Sequence, residues 1–292
     1  MKIHFFRGKK DVKKKFETIA CCLTFFIFIF STFPVCSSSP TGRYLIMAAT
    51  SGLGTAICET LASERNELIL AGRDEKKLKN LKSELEKKYS GRYTIALFDY
   101  SEFASLQKLK EQLNNTPING IVVIPPRVKI PTSEVPSSGE WADMVQIGFI
   151  APIEGIKQVI PLLQSESSIV IISGTSSANY LPTYKNVNVL RKMWVAEAKN
   201  LVYQLGDRNI RTNVISPGVI LTDYHKDKVQ DRATKNKKTI TEQLDEETRD
   251  IPLRRYGQPS DVAQAVAFLL SNKSTYINGI NLIIDGGLNK AY

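Results

Sequence analysis

From residue 43 onward the chain alternates short apolar runs with amphipathic stretches, and this alternation limits its fold more than any other feature. RYLIMAAT reads as a buried strand and SGLGTAICETLASERN as the helix after it. ELILAG, YTIALFD, GIVVIPP, SSIVIISG, IRTNVISPG and INLIIDGG repeat the strand pattern. Between them lie helical stretches, among them EKKLKNLKSELEKKYS, SLQKLKEQLNN, WADMVQIGFIAPIEGIKQVIPLLQ, YKNVNVLRKMWVAEAKNLVYQLGDR and DVAQAVAFLLS. Strands apolar at successive positions bury both faces, as parallel strands covered by helices do. The pattern predicts one α/β domain over residues 43–292, a Rossmann-type doubly wound parallel sheet with helices on both faces. No internal repeat and no domain break follow residue 42. The polar stretch 223–250 is expected to be an insertion acting as a mobile lid.

Charge points away from nucleic acid. The formal charge is +10, but residues 1–15 hold seven Lys/Arg against one Asp, so most of the excess lies in that basic region. Elsewhere basic and acidic residues alternate as on a solvated helix face, with no nucleic-acid-binding motif. Cys21, Cys22 and Cys36 lie near the N-terminus and Cys58 on a helix, and the only histidines are His4 and His225. That inventory offers neither a metal cluster nor a disulfide framework.

After the basic region, 1–18, the segment IACCLTFFIFIFSTFPV at 19–35 carries no charge, and 36–42 reads as a linker. Its length lies near the lower limit for a membrane span, and VCSSS provides small residues for signal cleavage. The expectation is a membrane anchor, or a cleaved signal or organelle leader. The domain would then be membrane-associated, secretory or organelle-targeted through residues 19–35, its compartment left open.

Between the first strand and its helix stands ATSGLG, residues 49–54, which with Ala48 before it offers Ala48, Thr50, Ser51, Gly52, Leu53 and Gly54 as the nucleotide turn. Glycine at this turn admits close approach of a pyrophosphate, and the helix N-terminus offers free N–H donors to it. The second strand ends AGRD. Arg73 supplies a cation for a 2′-phosphate, so NADP is preferred to NAD, which stays an alternative. Asp99 after the third strand is placed for the adenine, or caps a helix, with Tyr100 beside it.

These features resemble the short-chain dehydrogenase/reductase family, in particular its 3-oxoacyl-acyl-carrier-protein reductase branch, over residues 43–292. The resemblance rests on SGLG, FDY, IRTNVISPGVILTDY and the tail GQPSDVAQAVAFLLSNKSTYINGINLIIDGG. It implies nicotinamide-end contacts at Pro217, Gly218, Val219 and Thr222, a small carbonyl or alcohol substrate, and a homo-oligomer, usually a tetramer or a dimer. The short DGG-terminated tail argues against the extended epimerase-like members.

The active-site positions depart from the family pattern. By the family spacing, the lysine falls on Arg191, the tyrosine on Val187, the serine on Gly174 and the helix asparagine on Gly148, with Gln146 nearby. The asparagine-rich turn after the fourth strand is VIPP, 123–126, and the first glycine of the nucleotide turn is Ala48. A displaced set is expected instead. Tyr184 donates the proton, projecting from nearly the same helix side as Arg191, with Asn188 between them. Arg191 also keeps the ribose contact, and Ser173 or Thr175 orients the substrate. Tyr184 merely packed or solvated is the other reading, and it would leave a non-catalytic dinucleotide-binding sensor, scaffold or membrane-associated partner. Val187, Trp194 and Tyr180 suggest a hydrophobic substrate or, equally, core.

Overall fold

The computed structural model describes residues 42–291. The basic region, the hydrophobic segment 19–35 and nearly all of the linker therefore lie outside the described residues.

Seven strands form a single parallel sheet: β1 (Arg43–Met47), β2 (Glu67–Gly72), β3 (Tyr93–Leu97), β4 (Ile118–Val123), β5 (Leu163–Ile172), β6 (Arg211–Pro217) and β7 (Asn281–Ile284). Their order is β3-β2-β1-β4-β5-β6-β7. The chain runs outward in one direction through β1, β2 and β3, then restarts at β4 on the other side of β1. That reversal opens a crevice above the C-terminal ends of β1 and β4, where ligands bind in such sheets.

Strands that look uniformly apolar in sequence divide by alternate residues. Leu45, Met47, Ile121, Val123, Ile169 and Ile171 face one layer, where Ile156, Val159, Trp194 and Leu201 meet them. Tyr44, Ile46, Val122, Val170 and Ile172 face the other, against Ile57, Leu61, Leu78, Val262 and Val266. Both faces are covered, as a parallel sheet requires.

The covering helices start at recognisable caps. Ser51 caps α1 (Gly52–Ser63) by accepting from the Gly54 N–H, and Asp74 caps α2 (Glu75–Lys88) through Lys77. The stretch after β3 breaks into two short helices, α3 (Phe103–Gln107) and α4 (Leu109–Gln112). Beyond β4, a capping box at Ser137 and Glu140 opens α5 (Ser138–Val145). A π-helical turn at Gln146–Ile150 then leads into α6 (Ala151–Val159). Helix α7 (Val187–Leu205) follows β5 and α10 (Pro259–Leu270) precedes β7.

The stretch 223–250 is not a loop. It forms α8 (Asp223–Asn236) and α9 (Ile240–Glu247), the second opened by a capping box at Thr239 and Glu242. Arg232 pairs with Glu247 across the hairpin, and Val229, Ile251 and Tyr256 build a small core beneath it.

Candidate active site

The nucleotide turn begins where β1 ends. Ala48 stands at φ 65°, in the left-handed region, where a glycine would sit without strain. A Cβ on Gly54 would run into the carbonyl of Ala48 and come within 2.7 Å of that of Ala49, so this position must stay bare. A Cβ on Gly52 would come within 2.8 Å of Thr222, which fixes the loop after β6 against the turn. Ser51 is spent on its cap, while no protein acceptor takes the N–H groups of Gly52 and Leu53 among the described residues. Thr50 lies beside Gly72 at the end of β2. These free donors and bare backbone fit a pyrophosphate.

Arg73 emerges from the end of β2 with its side chain 77% exposed and 3.9 Å from Asp99. Asp99 itself accepts from the N–H and hydroxyl of Ser101. Burial pushes its carboxyl up, but the two Ser101 bonds and Arg73 outweigh this and hold it below the usual range. Tyr100 is different. Its side chain is buried in the core against Phe98, its hydroxyl lacks a partner, and burial alone pushes its phenol up. Only its backbone can face a nucleotide.

Pro217 ends β6, and Gly218 passes so close to Asp285 that a Cβ would lie 2.7 Å from that side chain. The Val219 carbonyl accepts from Gly257, and the Thr222 hydroxyl meets Nδ1 of His225 at 3.0 Å. Burial lowers the His225 pKa, and the charges of Arg127 and Arg232 lower it further.

Beyond β5 the chain presents Ser173, Gly174 and Thr175. Gly174 has φ 177°, ordinary extended backbone, so conformation does not demand glycine. Packing does, because the Arg191 guanidinium lies where a side chain would begin, with Cζ 2.6 Å and Nε 2.9 Å from a built Cβ. Arginine at the lysine position and glycine at the serine position are thus one spatial substitution. Arg191 donates to the Ser176 hydroxyl at 3.1 Å, and its Cζ lies 4.4 Å from the ring centre of Tyr184. Burial lowers the Arg191 pKa, Arg127 lowers it further, and Tyr184 opposes both. The group stays charged, since a guanidinium does not lose its proton in proteins.

The structure therefore brings Tyr184 and Arg191 together, although not by helix phase. Tyr184 sits in a 3₁₀ turn, Pro182–Tyr184, and Lys185 at φ 41° breaks the chain before α7 begins at Val187. Asn188 does not bridge the pair, since its amide donates to the carbonyls of Leu181 and Lys185 and ties this turn down.

The two expected substrate-orienting hydroxyls are engaged elsewhere. Ser173 donates to the Arg191 carbonyl at 3.1 Å, and the buried Thr175 donates to Asp285 at 2.9 Å. Gly148 lies in the π-helical turn under Val128 and Leu190, its carbonyl accepting from the Trp194 indole at 3.0 Å. Trp194 is core, 2% exposed, whereas Tyr180 is 68% exposed and stands outside the core. Sequence reasoning missed Arg127, whose Cζ stands 3.8 Å over the ring of Tyr224 in α8. A lone arginine after two prolines carries no pattern that would have flagged it.

The Enoyl-(Acyl carrier protein) reductase family model matches residues 47–289. The chain is a short-chain dehydrogenase/reductase. It is 30% identical over 259 residues to 3-oxoacyl-(acyl-carrier-protein) reductase of Rickettsia prowazekii, covering 84% of this chain and 95% of that one. Among solved structures, L-sorbose reductase of Gluconobacter frateurii, complexed with NADPH and L-sorbose, superposes with a TM-score of 0.79 at 21% identity, over 86% and 98% of the two chains. An NADPH-bound short chain oxidoreductase of Pseudomonas aeruginosa PAO1, described as containing an atypical catalytic center, gives 0.77 at 21% over the same shares.

The expected membrane or secretory location is corrected by these matches. The family model matches residues 47–289, outside 19–35, and the alignment covers 95% of the Rickettsia enzyme. No helix among the described residues is long and apolar enough to cross a membrane.

Proposed function

We propose that this short-chain dehydrogenase/reductase is a catalytically active NADP(H)-dependent oxidoreductase interconverting a carbonyl and an alcohol, with Arg191 and Tyr184 doing the work of the family tetrad. The reading rests above all on the guanidinium lying over Gly174 with the Tyr184 ring beside it.

The turn of Ala48, Thr50, Ser51, Gly52, Leu53 and Gly54 holds the pyrophosphate through the free N–H groups of Gly52 and Leu53. Arg73 takes the 2′-phosphate. Its present pairing with the exposed Asp99 is worth only about 0–1 kcal/mol, so the guanidinium turns to a stronger anion at little cost. NAD is the alternative cofactor. When bound, the dinucleotide supplies a hydride to the carbonyl carbon and is left oxidised as the carbonyl becomes an alcohol.

Arg191 covers the place where the family has a serine hydroxyl, and its N–H groups point fixed positive charge at the carbonyl oxygen as negative charge develops there. Tyr184 delivers the proton to that oxygen. As the proton leaves, the guanidinium stacked on the ring stabilises the charge left behind. No proton route through Gly148 is part of this reading, because Val128, Leu190 and the Trp194 indole occupy that turn. A homo-oligomer is also part of it, supported by the half-exposed edge strand β7 and the exposed Phe268 on α10.

The second reading, dinucleotide binding without turnover, draws on Val187 and on the committed hydroxyls of Ser173 and Thr175. One assay separates the two. Tyr184→Phe is expected to lower the rate of NADPH oxidation with carbonyl substrates about 100-fold or more while NADPH titrates unchanged. Full turnover in that variant would remove Tyr184 as donor; NADPH binding without turnover of any carbonyl would favour the second reading.

A further inference from the structure

Two guanidinium groups at the crevice have no carboxylate partner among the described residues. Arg191 donates to the Ser176 hydroxyl and lies against Tyr184, and Arg127 lies over the Tyr224 ring, which Lys228 also approaches. Several carboxylates of the neighbouring hairpin are engaged with other groups, and none of its acidic residues pairs with Arg127 or Arg191. Glu247 accepts from Arg232, Tyr256 and Gln243, Glu246 pairs with Lys238, Asp231 with Lys228, and Asp223 with Lys226. Among the described residues the crevice therefore carries two guanidinium groups without an ion-pair partner.

The way these cations are held matters as much as their charge. A guanidinium stacked on an aromatic ring is fixed in orientation by its face, and its N–H donors, all on the edge, stay free for acceptors in its plane. Among the described residues none of the Arg127 donors finds a protein acceptor. Val128 and Leu190, the chain neighbours of Arg127 and Arg191, both pack against Gly148, each 2.9 Å from where its Cβ would stand, so the two arginines leave the same part of the fold. Leaving two like charges facing one space is unfavourable unless an anion enters between them.

We infer that the substrate is a small carbonyl compound carrying its own anionic group, a carboxylate or a phosphate, with that group held by Arg127 and the carbonyl oxygen by Arg191. This rests on the oxidoreductase reading above and narrows its substrate class. Tyr224 acts as a positioning residue, setting the plane of Arg127. Because His225, next to it, is bonded to Thr222 and Thr222 is fitted against Gly52, the anion site and the nucleotide turn share one mechanical link.

The test uses the full chain saturated with NADP+ and calorimetric titration with malonate, with inorganic phosphate, and with the neutral malonamide. Malonate or phosphate is expected to bind, the stronger of the two identifying the anion chemistry, and malonamide is not. Arg127→Gln is expected to weaken the anion at least tenfold while NADPH affinity changes less than twofold. In turnover, oxo acids should lose kcat/KM in Arg127→Gln through KM, and their neutral amides should be poor substrates of both proteins. The inference is overturned if neither anion binds, if malonamide binds as well as malonate, or if Arg127→Gln leaves anion affinity intact. It is overturned equally if that variant loses NADPH affinity by the same factor, which would assign Arg127 to the dinucleotide phosphates. Failure of the protein to bind NADPH at all would instead remove the oxidoreductase reading, and is measured separately.

Discussion

The pairing of Gly174 with Arg191 makes an unusual demand on a substitution as mild as Gly174→Ala. The backbone there, φ 177° and ψ 157°, accepts alanine, and fixing it with a side chain stabilises by about 0.4–1 kcal/mol through the unfolded state. Against this, the new Cβ would lie 2.6 Å from Arg191 Cζ. The guanidinium is the end of a flexible side chain and swings away, giving up the Ser176 bond and the Tyr184 ring. Those contacts are worth about 1.5–3 and 0.5–2 kcal/mol respectively. The net loss is about 1–4 kcal/mol, or at ~2–4 °C per kcal/mol for a domain of this size a visible but survivable fall in Tm. Activity should suffer more, because a withdrawn oxyanion donor costs about 10²–10³ in kcat. Calorimetric melting beside NADPH-oxidation kinetics reads both quantities. Once Arg191→Lys has removed the planar group, the added methyl should cost nothing further, so the two substitutions combine non-additively. Wild-type turnover in Gly174→Ala, or strictly additive losses in the double variant, would refute the idea that the guanidinium works from above Gly174.

Two other expectations follow from groups at the ends of the crevice. Arg73→Ala should weaken NADPH roughly tenfold or more, the order expected for a lost hydrogen bond to a charged group, and leave NADH nearly unaffected; equal effects on both in a fluorescence titration would move the 2′-phosphate elsewhere. His225 is held below its ordinary pKa by burial, Arg127 and Arg232, so the unfolded chain binds this proton first and stability falls as pH drops through about 6.5 toward the folded value. His225→Asn should flatten the difference between urea melts at pH 7.5 and 5.5, and an unchanged difference would assign the acid sensitivity to other groups.

Much of the fold was legible because parallel strands and their helices write themselves into runs of neighbouring residues. The continuous apolar character of ELILAG and of the IVII within β5 needed only burial on both faces to be explained. Boundaries were harder. The first strand stops at Met47 because Ala48 turns left-handed, and nothing in the string MAAT announces that alanine will take a glycine conformation. The long helix expected over 141–164 contains a π-helical turn at Gln146–Ile150, where the extra residue lets the Gly148 carbonyl reach the Trp194 indole. That bond joins residues 46 apart and is invisible to any local pattern.

The candidate site divides along the same line. Ala48, Gly52 and Gly54 could be read from sequence because a strand-to-helix turn is a local object, and Tyr184 could be paired with Arg191 because seven residues separate them. The helical argument for that pair was nevertheless incorrect, since Lys185 at φ 41° places Tyr184 outside α7, and the ring reaches the guanidinium from a turn pinned by Asn188. The roles of Ser173 and Thr175 depended on side-chain direction around a 3₁₀ turn, with Thr175 answering to Asp285, 110 residues away. Arg127 shows the limit most clearly. Its meaning lies in its contact with Tyr224, set by how α8 meets the stretch after β4. A departure from a family motif can be counted along a sequence, but what replaces the lost group is decided by which side chain fills the space. Here that space over Gly174 is filled by a cation, so the chemistry that survives must be one a fixed positive charge can assist.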